Sequence, residues 1–214
     1  MLLVRRGVAE ALGSFFLVAI VVGSGIAAQR LSPSNVGLEL LENSLATGAG
    51  LAALIIVFGP VSGAHFNPVV TLADRTLRVS ESVAFIGAQI GGAILGAIAA
   101  NLMFALPAVT LSAHTRSAGN LWFAEVIATF GLVLVVKGAR AAYAPFAVGG
   151  YIAAAYWFTS STSFANPAVT IGRMFTDTFA GIRPSSAPGF IAAQLVGGAL
   201  AIAVGRYLFA REPI

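Results

Sequence analysis

Two Asn-Pro steps, Asn67-Pro68 and Asn166-Pro167, are where residue type and spacing in this chain first suggest chemistry. Asparagine is a favoured helix N-cap, and proline suits the first helical position because its missing N–H would be unpaired there anyway. Each step therefore predicts a short helix, over Pro68 to about Thr76 and over Pro167 to about Thr176. Each asparagine can accept a capping bond through its oxygen and keep its amide N–H2 as a donor. Two acids, Glu10 and Glu125, stand inside long apolar runs, where an unpaired charge is costly. Neither has a basic partner at helical spacing, so scaffolding is the expected role, each carboxylate accepting backbone N–H groups of a loop; a proton relay is the weaker reading. Gln89 and Gln194 read as interhelical hydrogen-bonding residues. His65, two residues before Asn67, lies beside the same segment, its ring either facing a lumen or packed behind it, and His114 reads as a solvated loop residue.

These residues recur in one order. Glu10 in Ala-Glu-Ala-Leu-Gly-Ser-Phe-Phe-Leu-Val matches Glu125 in Ala-Glu-Val-Ile-Ala-Thr-Phe-Gly-Leu-Val, 115 residues on. His65-Phe-Asn-Pro-Val-Val-Thr71 matches Phe164-Ala-Asn-Pro-Ala-Val-Thr170 at an offset of 99, and Phe85-Ile-Gly-Ala-Gln89 matches Phe190-Ile-Ala-Ala-Gln194 at 105. Three matches in order, with only connecting lengths varying, predict an internal repeat, about 1–106 and 120–214, within a single domain over 1–214.

The elements that carry them are apolar. Of 214 residues 58% are hydrophobic and 9% charged, against about 25% charged in soluble domains. Apolar windows at about Gly7–Ala28, Ser44–Phe58, Ser82–Leu106, Asn120–Val136, Phe146–Thr159 and Pro188–Phe209 predict six membrane spans. The two Asn-Pro segments lie between spans two and three and between five and six, too short to cross, so they read as re-entrant. The 24 glycines suit helices packed closely in lipid. The first window resembles a signal peptide, but its run is too long and contains Glu10. The fold class is thus an all-α membrane protein, six transmembrane helices plus two re-entrant half-helices.

Three spans per repeat, an odd number, invert the second repeat relative to the first. The formal charge is +4, yet no basic run exceeds Arg5-Arg6, so the cations read as topology signals rather than a nucleic-acid surface. With both termini cytoplasmic, Arg5, Arg6, Arg75, Arg78, Lys137, Arg140, Arg206 and Arg211 lie inside and Arg30, Arg116, Arg173 and Arg183 outside. Zero cysteines exclude disulfides, thiolate zinc, iron–sulfur clusters and thiol catalysis; no metal or cofactor is expected.

Inverted symmetry brings the two half-helix N-termini together near the midplane. Each carries roughly half a positive charge there, which opposes cations and protons but not neutral solutes. The runs Gly63-Ala64-His65 and Ser163-Phe164-Ala165 are expected to be extended, with free carbonyls that form an acceptor ladder along the path.

The motifs Ser62-Gly63-Ala64-His65-Phe66-Asn67-Pro68-Val69-Val70-Thr71 and Asn166-Pro167-Ala168-Val169-Thr170, with paired Glu10 and Glu125, resemble the major intrinsic proteins, the aquaporins and glycerol facilitators, over essentially the whole chain. The resemblance implies one pore per subunit, usually in a tetramer, in the cell membrane, with Asn67, Pro68, Val69, Asn166, Pro167 and Ala168 as its pore motifs. Most of that family carry an arginine directly after the second Asn-Pro-Ala; Val169 stands here. Counting back from the asparagines, as the family pattern allows, places the other constriction positions at Thr47, Ala154 and Ser163, none of them aromatic or imidazole. Thr170 replaces the aspartate usual in glycerol facilitators and Val69 an alanine. This pattern is similar to a subgroup associated with arsenic-resistance operons, which implies a wider, more neutral outer mouth and extends the candidate solutes to neutral arsenic hydroxides. Arg173, four residues past Val169, lies on the same helical face about 6 Å farther out; it either partly replaces the missing charge, or is solvated, or pairs with Asp177.

The expected function is a passive channel for water and small uncharged polar solutes in a lipid bilayer. A secondary transporter is the alternative, because inverted repeats with broken helices also build coupled carriers. No acid precedes Asp74 in either Asn-Pro segment, and no nucleophile–base constellation supports an enzyme.

Overall fold

The structure, a computed structural model, describes residues 2–209; Arg211, assigned above to the inner face, lies outside them. The apolar windows form helices that all begin before their apolar limits, while α4, α6 and α8 end one to three residues short of theirs: α1 (Leu2–Leu31), α2 (Val36–Ser62), α4 (Val79–Met103), α5 (Gly119–Gly138), α6 (Ala144–Phe158) and α8 (Ala187–Leu208). Five of these are long and apolar enough to cross a bilayer. The sixth, α6, has 15 residues, roughly 22 Å at 1.5 Å per residue, short of a 30 Å core. Pro145 sits in its first turn, and the chain after Phe158 continues through a turn and an irregular stretch toward Asn166.

The two Asn-Pro steps start α3 (Pro68–Ala73) and α7 (Pro167–Gly172). Both are six residues long, shorter than the sequence predicts. After α3 the Asp74 carboxylate accepts bonds from both the N–H and the hydroxyl of Thr76 (2.8 Å each), which turns the chain out of the helix. After α7 a single 3₁₀ turn, Arg173–Phe175, carries the chain almost to the predicted limit.

The packing obeys the repeat. α1 lies against α2 and α4 as α5 lies against α6 and α8; α3 touches α5 and α8 as α7 touches α1 and α4; α2 meets α6, and α3 meets α7. The closest crossings are also repeated. A Cβ at Gly92 would collide with the Ala11 carbonyl, and one at Gly197 with the Val126 carbonyl, the same pair of positions in the two repeats. Only glycine lets the backbones approach this far. Large apolar side chains such as Phe16, Leu45, Trp122, Phe123, Trp157 and Leu200 are exposed on the outside, whereas Glu10, Gln89, Glu125 and Gln194 are fully buried. Apolar outside and polar within is the pattern of a bundle solvated by lipid.

Candidate functional site: a path between two half-helices

Asn67 and Asn166 have extended backbones (φ −151° and −158°) and cap the helices they precede. Asn67 Oδ1 accepts from Val69 N (2.9 Å), and Asn166 Oδ1 accepts from Ala168 N (2.9 Å) and Val169 N (3.2 Å). Their amides then cross. Asn67 Nδ2 donates to the Ala165 carbonyl and Asn166 Nδ2 to the Phe66 carbonyl, both at 2.8 Å. Each loop is therefore stitched to the other half of the molecule, and one hydrogen of each amide is committed, leaving one for a solute. Ala165 accordingly leaves the expected carbonyl ladder: its oxygen is taken by Asn67 and the residue is fully buried. Its repeat counterpart is Phe66, whose oxygen Asn166 takes in the same way, while Gly63, Ala64, His65, Ser163 and Phe164 line the cavity.

The approach to each asparagine is not plainly extended. Gly63, Ala64 and Phe66 have φ of 95°, 51° and 48°, and their counterparts Thr162, Ser163 and Ala165 have 61°, 48° and 48°. A left-handed conformation costs roughly 1–2 kcal/mol per non-glycine residue, so something must hold these loops. The two carboxylates do. Glu10 accepts through Oε1 from Ser62 Oγ (2.5 Å) and His65 N (3.0 Å), and through Oε2 from Phe66 N (2.7 Å) and Gln89 Nε2 (2.7 Å). Glu125 accepts through Oε1 from Ser161 Oγ (2.6 Å) and Phe164 N (2.9 Å), and through Oε2 from Ala165 N (2.8 Å) and Gln194 Nε2 (2.6 Å). Both buried charges are saturated by four donors, which is what makes their burial tolerable. The glutamine amides also reach the half-helices, Gln89 to Thr71 Oγ1 (2.8 Å) and Gln194 to Thr170 Oγ1 (2.9 Å).

A cavity of roughly 400 Å³ runs alongside these groups. Its wall is largely apolar, with Leu17, Val21, Leu51, Leu132, Val148 and Ile152 facing Asn67, Asn166 and the backbone of the two loops. His65 both lines it and packs, its ring centre 5.7 Å from that of Phe85 in an edge-to-face contact and its Nε2 3.4 Å from Asp74 Oδ2. At one end lie Asp74, Arg75 and Lys137, and Lys137 Nζ donates to the Ala73 carbonyl (3.2 Å).

At the other end Thr47, Ser163 and Val169 line the cavity, each at most 6% exposed to solvent. Ala154 does not. It is exposed on the outer face of α6, while Ile152 and Tyr156 face inward. Residues 148, 152 and 156 share a helical face at i, i+4, i+8, and position 154 is about 200° away from 152. This end thus does hold an aromatic residue, with Tyr156 Oη and Thr47 Oγ1 3.2 Å apart in a hydrogen bond. It also holds Arg173, which lines the cavity and is 2% exposed, its Cζ 3.4 Å from the centre of the Phe164 ring and its Nε donating to the Ala180 carbonyl. Asp177 is not its partner; that carboxylate lies 3.7 Å from His114 and accepts from Ala113 N (2.9 Å). His114 is therefore paired as well as solvated. Sequence reading missed Tyr156, although its spacing from Ile152 and Val148 marks the face.

The family model for Major intrinsic protein matches residues 1–162. An aquaglyceroporin, AqpS, of Rhizobium meliloti (strain 1021) is 49% identical over 212 residues, 96% of this chain and 91% of that protein. Aquaporin AqpM of Methanothermobacter marburgensis is 30% identical over 240 residues, covering 96% and 98% respectively. The X-ray structure of the aquaglyceroporin from Plasmodium falciparum superposes with a TM-score of 0.75 over 97% of each chain at 21% identity, which speaks for a shared fold. The cavity, the crossed Asn-Pro half-helices and these relatives agree: the chain belongs to the major intrinsic protein family.

Proposed function

We propose that the cavity between the half-helices is the conduction path, and that water and small uncharged polar solutes cross the membrane through it passively. The observation that carries this reading is the reciprocal bonding of Asn67 and Asn166 in the cavity wall. It fixes two helix N-termini, each with roughly half a positive charge, beside a path whose remaining wall is mostly apolar. A cation entering that path loses water and meets positive potential, whereas a neutral solute trades water for one amide hydrogen on each asparagine and for the carbonyls of Gly63, Ala64, His65, Ser163 and Phe164. A coupled carrier instead needs a titratable or ion-binding group where the two repeats meet, and at that level the wall presents Asn67 and Asn166.

The filter in this reading comprises Thr47, Ser163, Val169 and Tyr156, in place of Thr47, Ser163, Val169 and Ala154. The aquaglyceroporin relative from R. meliloti supports solutes of glycerol and urea size, and the arsenic-associated resemblance adds uncharged arsenite. The chain is placed in the cell membrane as a homotetramer with both termini cytoplasmic, the latter from the distribution of Arg and Lys. Proteoliposome swelling under osmotic gradients of glycerol, urea and neutral arsenite tests the function. Flux linear in concentration and indifferent to ion gradients is expected, and saturating flux that follows an ion gradient overturns it in favour of a carrier.

A further inference from the structure

Two guanidinium groups meet at the outer end of the cavity, and they come from different parts of the chain. Arg173 follows α7, and Arg116 belongs to the segment 107–118 that joins the repeats. Both lie over the ring of Phe164, with Cζ atoms 3.4 Å and 5.2 Å from its centre. They also grip three consecutive carbonyls. Arg116 Nε donates to Gly181 O (3.0 Å) and its Nη2 to Phe179 O (3.3 Å), while Arg173 Nε donates to Ala180 O between them. The Arg116 backbone is anchored in turn, its N–H donating to Ser186 Oγ (3.1 Å).

Among the described residues neither arginine forms an ion pair. Arg173 is held by a carbonyl dipole and a ring face rather than by a carboxylate in contact, so its guanidinium stays available to the cavity it lines. Ser163 also lines this end of the cavity, but its Oγ is itself enclosed, which leaves the donors that face a solute here to Arg173.

We propose that Arg173 is the outer gatekeeper of this channel, narrowing its mouth and reading the acceptor oxygens of small neutral solutes, and that Arg116 is the positioning residue that fixes it by clamping residues 179–181. The proposal rests on the conduction path described above. Arg173 stands one helical turn beyond Val169, so the guanidinium absent from position 169 is delivered from farther along the chain and aimed back by the 179–181 turn. Arg116 has no contact with the cavity and acts only through that turn and Phe164.

The test is swelling of proteoliposomes with the full-length chain, read as the glycerol-to-water flux ratio at matched protein density. Arg173→Ala removes the bulk that narrows the mouth, an effect on glycerol that outweighs the donors lost with it, and is expected to raise the ratio about tenfold, about 1.4 kcal/mol of barrier. Arg116→Gln, which cannot span two carbonyls, is expected to raise it by a smaller factor, and Arg116→Lys, which keeps the charge over Phe164, to fall between that variant and the wild type. In the Arg173→Ala background Arg116→Gln should leave the ratio where it is, because residues acting through one group are not additive. Where the alanine variant does not fold, Arg173→Gln serves, with a rise again expected. A ratio unmoved in the Arg173 variants overturns the gatekeeper. A ratio that Arg116→Gln leaves at the wild-type value, or shifts equally with Arg173 absent, overturns the positioning role. Wild-type liposomes that swell no faster than empty ones overturn the channel reading and this proposal with it.

Discussion

Glu10→Gln tests what holds the re-entrant loops. The substitution keeps shape and removes one acceptor oxygen. In the wild type Oε2 receives Phe66 N at 2.7 Å and Gln89 Nε2 at 2.7 Å, and Oε1 receives Ser62 Oγ and His65 N. With an amide at position 10 its N–H2 must replace one of the oxygens. If it takes the Oε2 place, Gln89 can flip and offer its Oε1, which has no partner in the wild type. Phe66 N–H has no such freedom and faces a donor. The cost is one unsatisfied buried N–H, about 1–3 kcal/mol, plus the charge assistance lost from the remaining bonds, for a total of about 3–5 kcal/mol. That is a large part of an ordinary folding stability of 5–15 kcal/mol, and it falls on a loop already carrying Ala64 and Phe66 in left-handed conformations. The purified variant should give lower yield and an unfolding temperature in detergent reduced by several degrees, while flux per folded molecule and the glycerol-to-water ratio stay within about twofold of wild type, a shift under 0.5 kcal/mol. Glu125→Gln should behave alike, since its four donors correspond one for one. A variant of wild-type stability and yield that conducts nothing would refute scaffolding and point to a proton relay.

Val169→Arg should place a second guanidinium one turn from Arg173 and depress glycerol flux at least about tenfold more than water flux, a difference of 1.4 kcal/mol or more; equal losses for both solutes would remove residue 169 from the constriction. Ala154→Leu should leave the ratio unchanged because the side chain points outward, whereas Ile152→Ala should raise it; the reverse result would restore position 154 to the filter. Gly92→Val should abolish assembly by driving a side chain into the Ala11 carbonyl, a loss read as aggregation on size-exclusion chromatography; normal assembly would show that α1 and α4 can separate. Voltage applied across reconstituted bilayers should drive no sodium or potassium current comparable with water flux, and such a current would sink the electrostatic account.

What the sequence disclosed is what residue type alone encodes. An acid, a glutamine and an Asn-Pro step have few reasons to lie in apolar surroundings, and when all recur in order they name both the repeat and the positions that stabilise its loops. What it hid depends on chain phase. Placing the filter at Ala154 assumes a fixed count back from Asn166, but α6 ends at Phe158 and the irregular, partly left-handed stretch after it absorbs residues; a slip of two turns a helical position through about 200°. Ala165 looked like a free carbonyl because the Asn67 amide that takes it is 98 residues away. The length of α3 was misjudged because Asp74, an unremarkable acid in sequence, turns its carboxylate onto Thr76. Arg173 was visible as a candidate by its spacing, but its direction is set by Ala180 and Phe164, which only the folded turn brings to it.

The charges at the two ends complete the electrostatics that the half-helices begin. A short helix presents positive potential at its N-terminus and an equal negative potential at its C-terminus. Left alone, α3 and α7 would offer a cation a resting place at each vestibule before repelling it at the centre. The chain removes those wells. At the end of α3, Lys137 Nζ donates to the Ala73 carbonyl (3.2 Å), and at the end of α7 stands Arg173, 2% exposed and lining the cavity. The C-terminal dipoles are thus met by fixed cations, while Glu10 and Glu125, turned onto the loops, Ser62, Ser161 and the two glutamines, stand behind the N-termini of Asn67 and Asn166 rather than in the cavity wall. The groups that face the path at its centre are consequently the asparagine amides and the half-helix N-termini, with no acid among the described lining residues there. A barrier of that form needs no charged residue at position 169, which is why a valine there is compatible with excluding ions and leaves the position to govern width alone.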